Sequence, residues 1–166
     1  VESADDIRDE LGTPAKPGQL HLVPSAMPDA TPDLEAIKRH FAQDHFAATS
    51  GIEILELQQG FARTALKVEE RHLNSVGIAQ GGAIFTLADL AFAMACNSSG
   101  QVAVAINTTL SFLRPTPGGS LVAEATEVSR SRRISTCTVR VLDESERQAY
   151  FSSVQNPDSL VVNVRD

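Results

Sequence analysis

The sequence has few of the features that stabilise small extracellular proteins. Only two cysteines, Cys96 and Cys137, occur among its 166 residues, and aromatic residues are scarce, with no tryptophan. Two cysteines do not make a disulfide framework, so we expect a reducing, cytoplasmic environment. We interpret both as small core residues, because no histidine adjoins either in the sequence. A chain of this length that is 42% hydrophobic can bury a core as one domain without disulfides.

Positive charge is also scarce. The 14 Lys and Arg residues are outnumbered by 21 Asp and Glu, which gives a formal net charge of −7. This balance argues against nucleic-acid binding and against a polybasic membrane surface, since both need a basic face. The N-terminus is acidic and lacks a basic segment followed by an apolar run, so we expect no secretory signal. The apolar stretch over residues 83–96 is too short to span a bilayer and contains Asp89.

Proline and glycine divide the chain into three parts. Proline interrupts the first 30 residues, which we interpret as a largely irregular arm. One domain is predicted over residues 31–156, followed by a C-terminal tail over residues 157–166. The domain begins with Thr31-Pro32-Asp33, which has the composition of a helix start, and apolar residues at helical spacing extend this helix to Gly51.

The remainder of the domain predicts an α+β fold. Alternation of apolar and polar residues predicts two strands of a hairpin, over residues 52–57 and 61–69. Residues 81–97 are apolar on all sides, which is typical of a buried helix. Four β-like runs follow, over residues 102–113, 120–129, 133–142 and 147–155. A curved antiparallel sheet wrapped around one long buried helix satisfies both patterns.

Asp89 is the only charged residue between positions 76 and 113. Burying a carboxylate without partners costs several kcal/mol, and aspartate is a poor residue for a helix interior. Three interpretations remain open at this point. Asp89 is a structural carboxylate satisfied by a backbone amide, a helix end or a subunit contact; or it is a metal ligand, although no partner ligands lie near it in the sequence; or it is a base or nucleophile in a dry pocket.

Gly81 and Gly82 directly precede the predicted buried helix. Backbone N–H groups at a helix N-terminus are able to stabilise a developing oxyanion, and glycine permits close approach of a ligand, although paired glycines before a helix are often only a turn. Gly81 and Asp89 are eight residues apart, or about 12 Å along a helix, which is too far to serve one carbon within one chain. If both act on one substrate, two helices must pack antiparallel across a dimer.

Residues 72–89 read HLNSVGIAQGGAIFTLAD, and they are followed by AFAMACNS and later by Phe112-Leu113-Arg114-Pro115. These segments resemble the hotdog-fold acyl-CoA thioesterases of the PaaI-like, phenylacetate-pathway type, whose pattern is H-x-N-x-x-G-x-x-H-G-G followed by L-A-D. The resemblance covers roughly residues 33–155. It implies a hotdog fold, with a curved antiparallel sheet around a long central helix, and a homodimer that often pairs into a homotetramer.

The resemblance also implies roles for individual residues. Asp89 corresponds to the catalytic carboxylate, acting as base or nucleophile, and the Gly81 amide corresponds to the group that polarises the thioester carbonyl. Asn74 corresponds to the residue that positions the water or the thioester. Gln80 replaces the family's usual histidine, and glutamine donates a hydrogen bond but does not titrate. Gly82 and His72 are further candidates for substrate binding, and His72 either serves the approach to the site or caps a strand.

Coenzyme A carries phosphates that need cationic contacts. The resemblance places them near the one dense basic cluster, and a second candidate precedes Pro115, although a solvated basic turn and a surface ion pair are equally open interpretations. The candidates are Arg114, Arg130, Ser131, Arg132 and Arg133. Coenzyme A is part of the substrate here, so we expect no cofactor and no metal.

The leading hypothesis is therefore hydrolysis of an aromatic, phenylacetyl-like or medium-chain acyl-CoA to the free acid and CoA. A non-catalytic module that binds or senses acyl-CoA is the alternative, and Gln80 is the residue that favours it. A hotdog-fold hydratase or dehydratase ranks last, because no paired aspartate and histidine lie in the helix.

Overall fold

The structure, a computed structural model, describes residues 32–145, 148–152 and 160–164. The predicted arm over residues 1–30 lies outside the described residues. Two short helices come first, α1 (Leu34–Phe41) and α2 (His45–Thr49). Asp33 Oδ1 accepts a hydrogen bond from Ala36 N, and Asp44 Oδ1 accepts one from Ala47 N, each at 2.9 Å. The prediction of a single helix capped by Thr31 was wrong. Asp33 caps the first helix, and Asp44 caps a second helix that begins after the first has ended.

Within the described residues, eight strands form one sheet in which every pairing is antiparallel, as predicted. The strands are β1 (Ile52–Gln58), β2 (Phe61–Val68), β3 (Ala103–Asn107), β4 (Ser111–Phe112), β5 (Gly119–Arg130), β6 (Ile134–Asp143), β7 (Gln148–Ser152) and β8 (Leu160–Val164). Strands β1, β2, β5 and β6 follow one another across the sheet. Two strands pair with the outer edge of β6, one after the other along its length. β7 pairs with residues 139–142 and β8 pairs with residues 134–137.

Two features of this outer part differ from the sequence-based expectation. The run over residues 102–113 forms two strands, of which β3 pairs with β8 and β4 pairs with β7. The sheet also extends past residue 156, because β8 falls within the predicted C-terminal tail. Both features involve short strands, and a strand of two residues or of five carries little periodic signal.

The long helix α3 (Gly81–Asn97) packs on β5, β2 and β6. The strand residues that face it are small or medium-sized and fully or almost fully buried: Ala62, Thr64, Leu66, Leu121, Ala123, Ala125, Cys137, Val139 and Val141. The alanines let the helix lie close to the sheet, and Thr64 Oγ1 donates a hydrogen bond to Leu87 O at 2.9 Å. The bounds of α3 are those that the sequence predicts.

One face of α3 is open, which the prediction of a helix buried on all sides did not include. Residues at helical spacing on this face are partly or largely exposed: Gly82, Phe85, Thr86, Asp89 and Ala93. Ile84, Leu87 and Met94, on the opposite face, are completely buried. We call the open set the α3 stripe. Among the residues that the structure describes, no helix has the length and apolarity needed to cross a membrane.

Cys96 and Cys137 are both free and buried, which confirms their interpretation as core residues. Their Sγ atoms lie 2.9 Å apart, between α3 and β6. The hydrogen bond to Cys96 and burial both raise the pKa of the Cys137 thiol. A thiol held in its neutral form is a poor nucleophile, so this pair contributes packing rather than chemistry.

Candidate active site

Gln80 caps the N-terminus of α3. Its side-chain oxygen accepts a hydrogen bond from Gly82 N, and its backbone oxygen accepts from Ala83 N at 3.0 Å. Its own backbone N–H donates to His72 O at 2.7 Å, so the turn is held from outside the helix as well. Each of these bonds satisfies a group next to Gly81 but not the Gly81 N–H itself. Among residues 32–145 that N–H has no hydrogen-bond acceptor.

A side chain at position 81 is disfavoured by the nearby Phe112 ring and not by the backbone conformation of Gly81. Its φ is outside the left-handed region, which several other glycines of the chain occupy. A Cβ added at Gly81 would lie 2.9 Å from Cζ of Phe112 and 3.3 Å from its Cε1. The ring of Phe112 therefore occupies the space that any side chain at position 81 would need.

A cavity of about 400 Å³ opens beside Gly81. Its lining brings together three of the predicted site residues, Gly81, Asn74 and Arg114. The rest of the wall is apolar and was not predicted: Ile78, Ala79, Phe112, Leu113 and Pro115. The signal for part of it was present, because Phe112 to Pro115 lie in a segment that carries the family resemblance. An apolar cavity with a few polar groups is typical of a small-molecule site.

Asn74 offers this cavity a donor and no acceptor. Its Oδ1 already accepts hydrogen bonds from Val76 N at 3.0 Å and from Ile78 N at 3.3 Å. These bonds, with that from Asn74 N to Ile78 O at 2.8 Å, close the loop before α3. Only the side-chain NH₂ remains, so Asn74 is able to orient an oxygen atom but not to remove a proton.

Asp89 lies on the α3 stripe, half-buried, and it does not line the cavity at Gly81. Its carboxylate has no hydrogen-bond or ion-pair partner among residues 32–145. Burial raises the pKa of its carboxyl above the ordinary value of 3.8, and the nearby Asp44 carboxylate raises it further. Within the part of the chain that is described, no three His, Cys, Asp or Glu side chains group closely enough to hold a metal ion.

His72 supports the turn and does not face the cavity. Its Nδ1 accepts a hydrogen bond from Glu69 N, and its Nε2 donates to Ser50 O, each at 2.9 Å. The ring is buried, so both nitrogens are committed to backbone groups. The predicted contact of His72 with substrate has no ring nitrogen left to make it, although its backbone oxygen holds Gln80 in place.

The basic cluster at residues 130–133 lies at the other end of α3 from Gly81. Arg130 is bound within the chain, to Cys96 O at 2.5 Å and to Glu127 Oε1 at 2.7 Å. Ser131 closes the turn between β5 and β6 through hydrogen bonds with the backbone of Ile134. Arg132 and Arg133 are exposed, with no ion pair to any described residue. A helix of 17 residues is about 25 Å long, so one chain does not bring this cluster to its own Gly81 cavity.

Comparison with known proteins gives consistent matches. The chain matches the thioesterase superfamily over residues 76–150. It is 39% identical over 95 residues to a putative esterase of Archaeoglobus fulgidus, covering 57% of this chain and 62% of that protein. It is 34% identical over 108 residues to the acyl-coenzyme A thioesterase PaaI of Escherichia coli, covering 64% of this chain and 77% of the relative.

Solved structures agree with these matches. The TT0310 protein from Thermus thermophilus is similar with a TM-score of 0.67 and 35% identity, over 74% of this chain and 99% of that one. The PaaI protein from the phenylacetic acid degradation operon of E. coli is similar with a TM-score of 0.69 and 29% identity, over 78% of this chain and 89% of that one. The chain therefore belongs to the thioesterase superfamily and is a hotdog-fold thioester hydrolase of the PaaI-like type.

Proposed function

We propose that the protein hydrolyses an aromatic, phenylacetyl-like or medium-chain acyl-CoA to the free acid and CoA. The observation that carries this proposal is the Gly81 N–H at the N-terminus of α3, which has no acceptor among residues 32–145 and lies beside an apolar cavity. Such an N–H, aided by the helix dipole, stabilises the negative charge that develops on a thioester oxygen. The E. coli relative that is 34% identical is named an acyl-coenzyme A thioesterase, which supports the same substrate class.

Asp89 takes part from a second copy of the chain. Eight residues separate it from Gly81 along one helix, a rise of about 12 Å, and it does not line the cavity at its own Gly81. The α3 stripe on which it lies is left open by the described residues. A homodimer with antiparallel α3 helices covers this stripe and brings Asp89 of one copy to Gly81 of the other, and pairs of dimers form the expected homotetramer.

The reaction needs one proton acceptor and one oxyanion site. As a base, Asp89 removes a proton from water, and the resulting hydroxide forms a bond to the thioester carbon while the carbonyl oxygen becomes an oxyanion at the Gly81 N–H. Collapse of this intermediate breaks the C–S bond, and the thiolate of CoA takes the proton back. As a nucleophile, Asp89 itself attacks the carbon, and the C–S bond breaks to release the thiolate of CoA. Water then hydrolyses the mixed anhydride to the acid and the Asp89 carboxylate, and the proton released in this step goes to the thiolate. The raised pKa of Asp89 makes it a stronger base than an ordinary carboxylate.

The remaining residues orient the substrate. The free NH₂ of Asn74 donates a hydrogen bond to the attacking water or to the thioester. Gly82 contributes less than Gly81, because its N–H is already bound by Gln80. Arg114, at the cavity, is the contact for a CoA phosphate within the same chain, and Arg132 and Arg133 contact a phosphate only from another subunit. Arg130 and Ser131 are left out of the phosphate contacts, because both are bound within the chain.

A CoA-release assay with phenylacetyl-CoA, octanoyl-CoA and acetyl-CoA tests the proposal. Wild-type protein is expected to release CoA, whereas Asp89→Asn, which is isosteric and uncharged, is expected to lose at least about a thousandfold in kcat with its oligomeric state unchanged. Ser75→Ala, an exposed substitution in the loop before α3, is the control. Hydrolysis by Asp89→Asn at the wild-type rate would contradict the mechanism.

The alternative function is a module that binds acyl-CoA without hydrolysing it. Gln80 favours it, because this residue replaces a titratable histidine and its oxygen is used to cap α3. Calorimetric titration with phenylacetyl-CoA that shows binding, together with no release of free CoA over hours, is the result that this alternative predicts.

A further inference from the structure

Among the described residues, Phe112 is the one whose side chain lies nearest to the position of a Cβ on Gly81. It belongs to β4, a strand of two residues that pairs with β7 through Phe112 and Tyr150. From there its ring reaches the first residue of α3, where its Cζ lies 2.9 Å from the position of a Cβ on Gly81. The ring lines the cavity, and 57% of its surface is exposed.

The position of the ring decides what a bound substrate touches. A Cβ on Gly81 would meet the tip of the Phe112 ring, and the N–H of Gly81 has no acceptor among residues 32–145. A carbonyl oxygen that accepts a hydrogen bond from this N–H places its carbon about 4 Å from the amide nitrogen. Gly81 and Phe112 line the same cavity, so the groups attached to that carbon share the cavity with the ring.

The rest of the wall near Phe112 carries little polarity. Ile78, Leu113 and Pro115 line the same cavity, and Leu113 is itself 54% exposed. Among the described residues that line the cavity, Arg114 is the single charged one. An aromatic ring among such residues favours flat apolar groups, because ring contacts add roughly 0.5–1.5 kcal/mol to the burial of apolar area.

We propose that Phe112 determines acyl-group selectivity, by packing its ring against the acyl group of the thioester held at the Gly81 amide. This inference rests on the proposed thioesterase function and extends it to the acyl group. If the ring packs on the acyl group, its removal changes kcat/KM by different factors for different acyl-CoA substrates. If the ring packs on pantetheine, which every acyl-CoA carries, its removal changes kcat/KM by the same factor for all of them.

The test compares kcat/KM for phenylacetyl-CoA and acetyl-CoA in wild-type protein and in Phe112→Ala. The ratio of the two values is expected to fall about tenfold in Phe112→Ala, with most of the loss on phenylacetyl-CoA. Phe112→Leu, which keeps apolar volume but no ring, is expected to give an intermediate ratio, and it replaces Phe112→Ala if that variant does not fold. The control is Leu55→Ala, because Leu55 is 44% exposed on β1 and does not line the cavity.

The outcomes separate the two proposals. Wild-type protein that hydrolyses neither thioester overturns the proposed function and this inference together. Active wild-type protein whose ratio is unchanged in Phe112→Ala, or changes equally in Leu55→Ala, overturns the role of Phe112 alone. Light scattering of each variant shows whether a lost dimer accounts for a change. If Phe112→Ala changes the oligomeric state but leaves the ratio of the two kcat/KM values unchanged, the inference is also contradicted.

Discussion

Arg130 donates a hydrogen bond to the backbone oxygen of Cys96 at 2.5 Å, where the last turn of α3 ends. The same guanidinium lies 2.7 Å from Glu127 Oε1, and both side chains are largely buried. A cation at a helix C-terminus satisfies a carbonyl oxygen that has no partner within the helix, and it interacts favourably with the helix dipole. Arg130 thus links the end of α3 to the turn between β5 and β6.

Arg130→Ala is expected to lower the free energy of unfolding by about 2–3 kcal/mol, because it removes the cation beside the largely buried Glu127 carboxylate, which keeps its hydrogen bond from Ser135, and it removes the donor to the Cys96 oxygen. Urea unfolding followed by circular dichroism measures the loss. Arg132→Ala, two residues further in the same turn and exposed, is the matched control and is expected to change stability by less than about 0.5 kcal/mol. Equal free energies of unfolding for the two variants would show that the contacts of Arg130 at the end of α3 do not stabilise the fold.

Arg114→Ala is expected to raise KM for an acyl-CoA about fivefold and to leave kcat almost unchanged. A contact with a distant phosphate contributes equally to binding of substrate and transition state, so its loss appears in KM. The control uses a substrate in place of a second variant: an N-acetylcysteamine thioester carries the same acyl group without phosphates, and its KM is expected to stay constant. A similar rise in KM for both substrates would assign Arg114 to the acyl end of the cavity.

Gly81→Ala is expected to reduce kcat/KM for acetyl-CoA at least about tenfold, although the variant keeps the backbone N–H. The new Cβ would lie 2.9 Å from Phe112 Cζ, so either the turn moves, which takes the N–H out of alignment with the oxyanion, or the ring moves within the cavity that holds the substrate. Stability is expected to change by less than about 1 kcal/mol, because alanine favours helix. Steady-state kinetics and urea unfolding together separate the two effects.

The double variant Gly81→Ala/Phe112→Ala tests whether contact with the Phe112 ring causes the defect of Gly81→Ala. Removing the ring makes room for the methyl group, so part of the acetyl-CoA activity is expected to return. If the double variant is as inactive as Gly81→Ala, contact with Phe112 is not the cause of the defect.

The pKa of Asp89 is raised by burial and by the Asp44 carboxylate, so the acidic limb of the pH–rate profile is expected above the ordinary aspartate range. Activity needs the ionised carboxylate and therefore falls as the pH drops through this raised pKa. Asp44→Asn removes a like charge, lowers the pKa of Asp89 and moves the limb to lower pH. Asparagine also caps helices, so α2 is expected to persist.

Profiles of kcat against pH for wild-type protein, Asp44→Asn and Asp33→Asn measure this shift. Asp33 caps α1 as Asp44 caps α2, but its carboxylate is not among the causes of the raised pKa of Asp89. A limb that stays in place in Asp44→Asn, or that moves as much in Asp33→Asn, contradicts the assignment of Asp44.

Much of the scaffold was predictable because its signals are local. The apolar run after Gly81 and Gly82 predicted the bounds of α3, and alternation predicted β1, β2, β5 and β6 to within a few residues. The start of α2 at Asp44 and the pairing of β8 with β3 and β6 were missed. A capping hydrogen bond competes with helix continuation, and a short edge strand gains its stability from neighbours that are distant in sequence.

The amino-acid sequence by itself determined the fold class, the family resemblance and the isolation of Asp89, since each depends on residue types at fixed spacing. Only the tertiary structure decided which polar groups are free. It bound His72, Arg130 and Ser131 to backbone groups and left the Gly81 N–H without an acceptor among residues 32–145. It also placed Phe112 against Gly81, 31 positions away in the chain. Hydrogen bonds and ring contacts between distant segments depend on how the sheet curls around α3, and no local pattern encodes them.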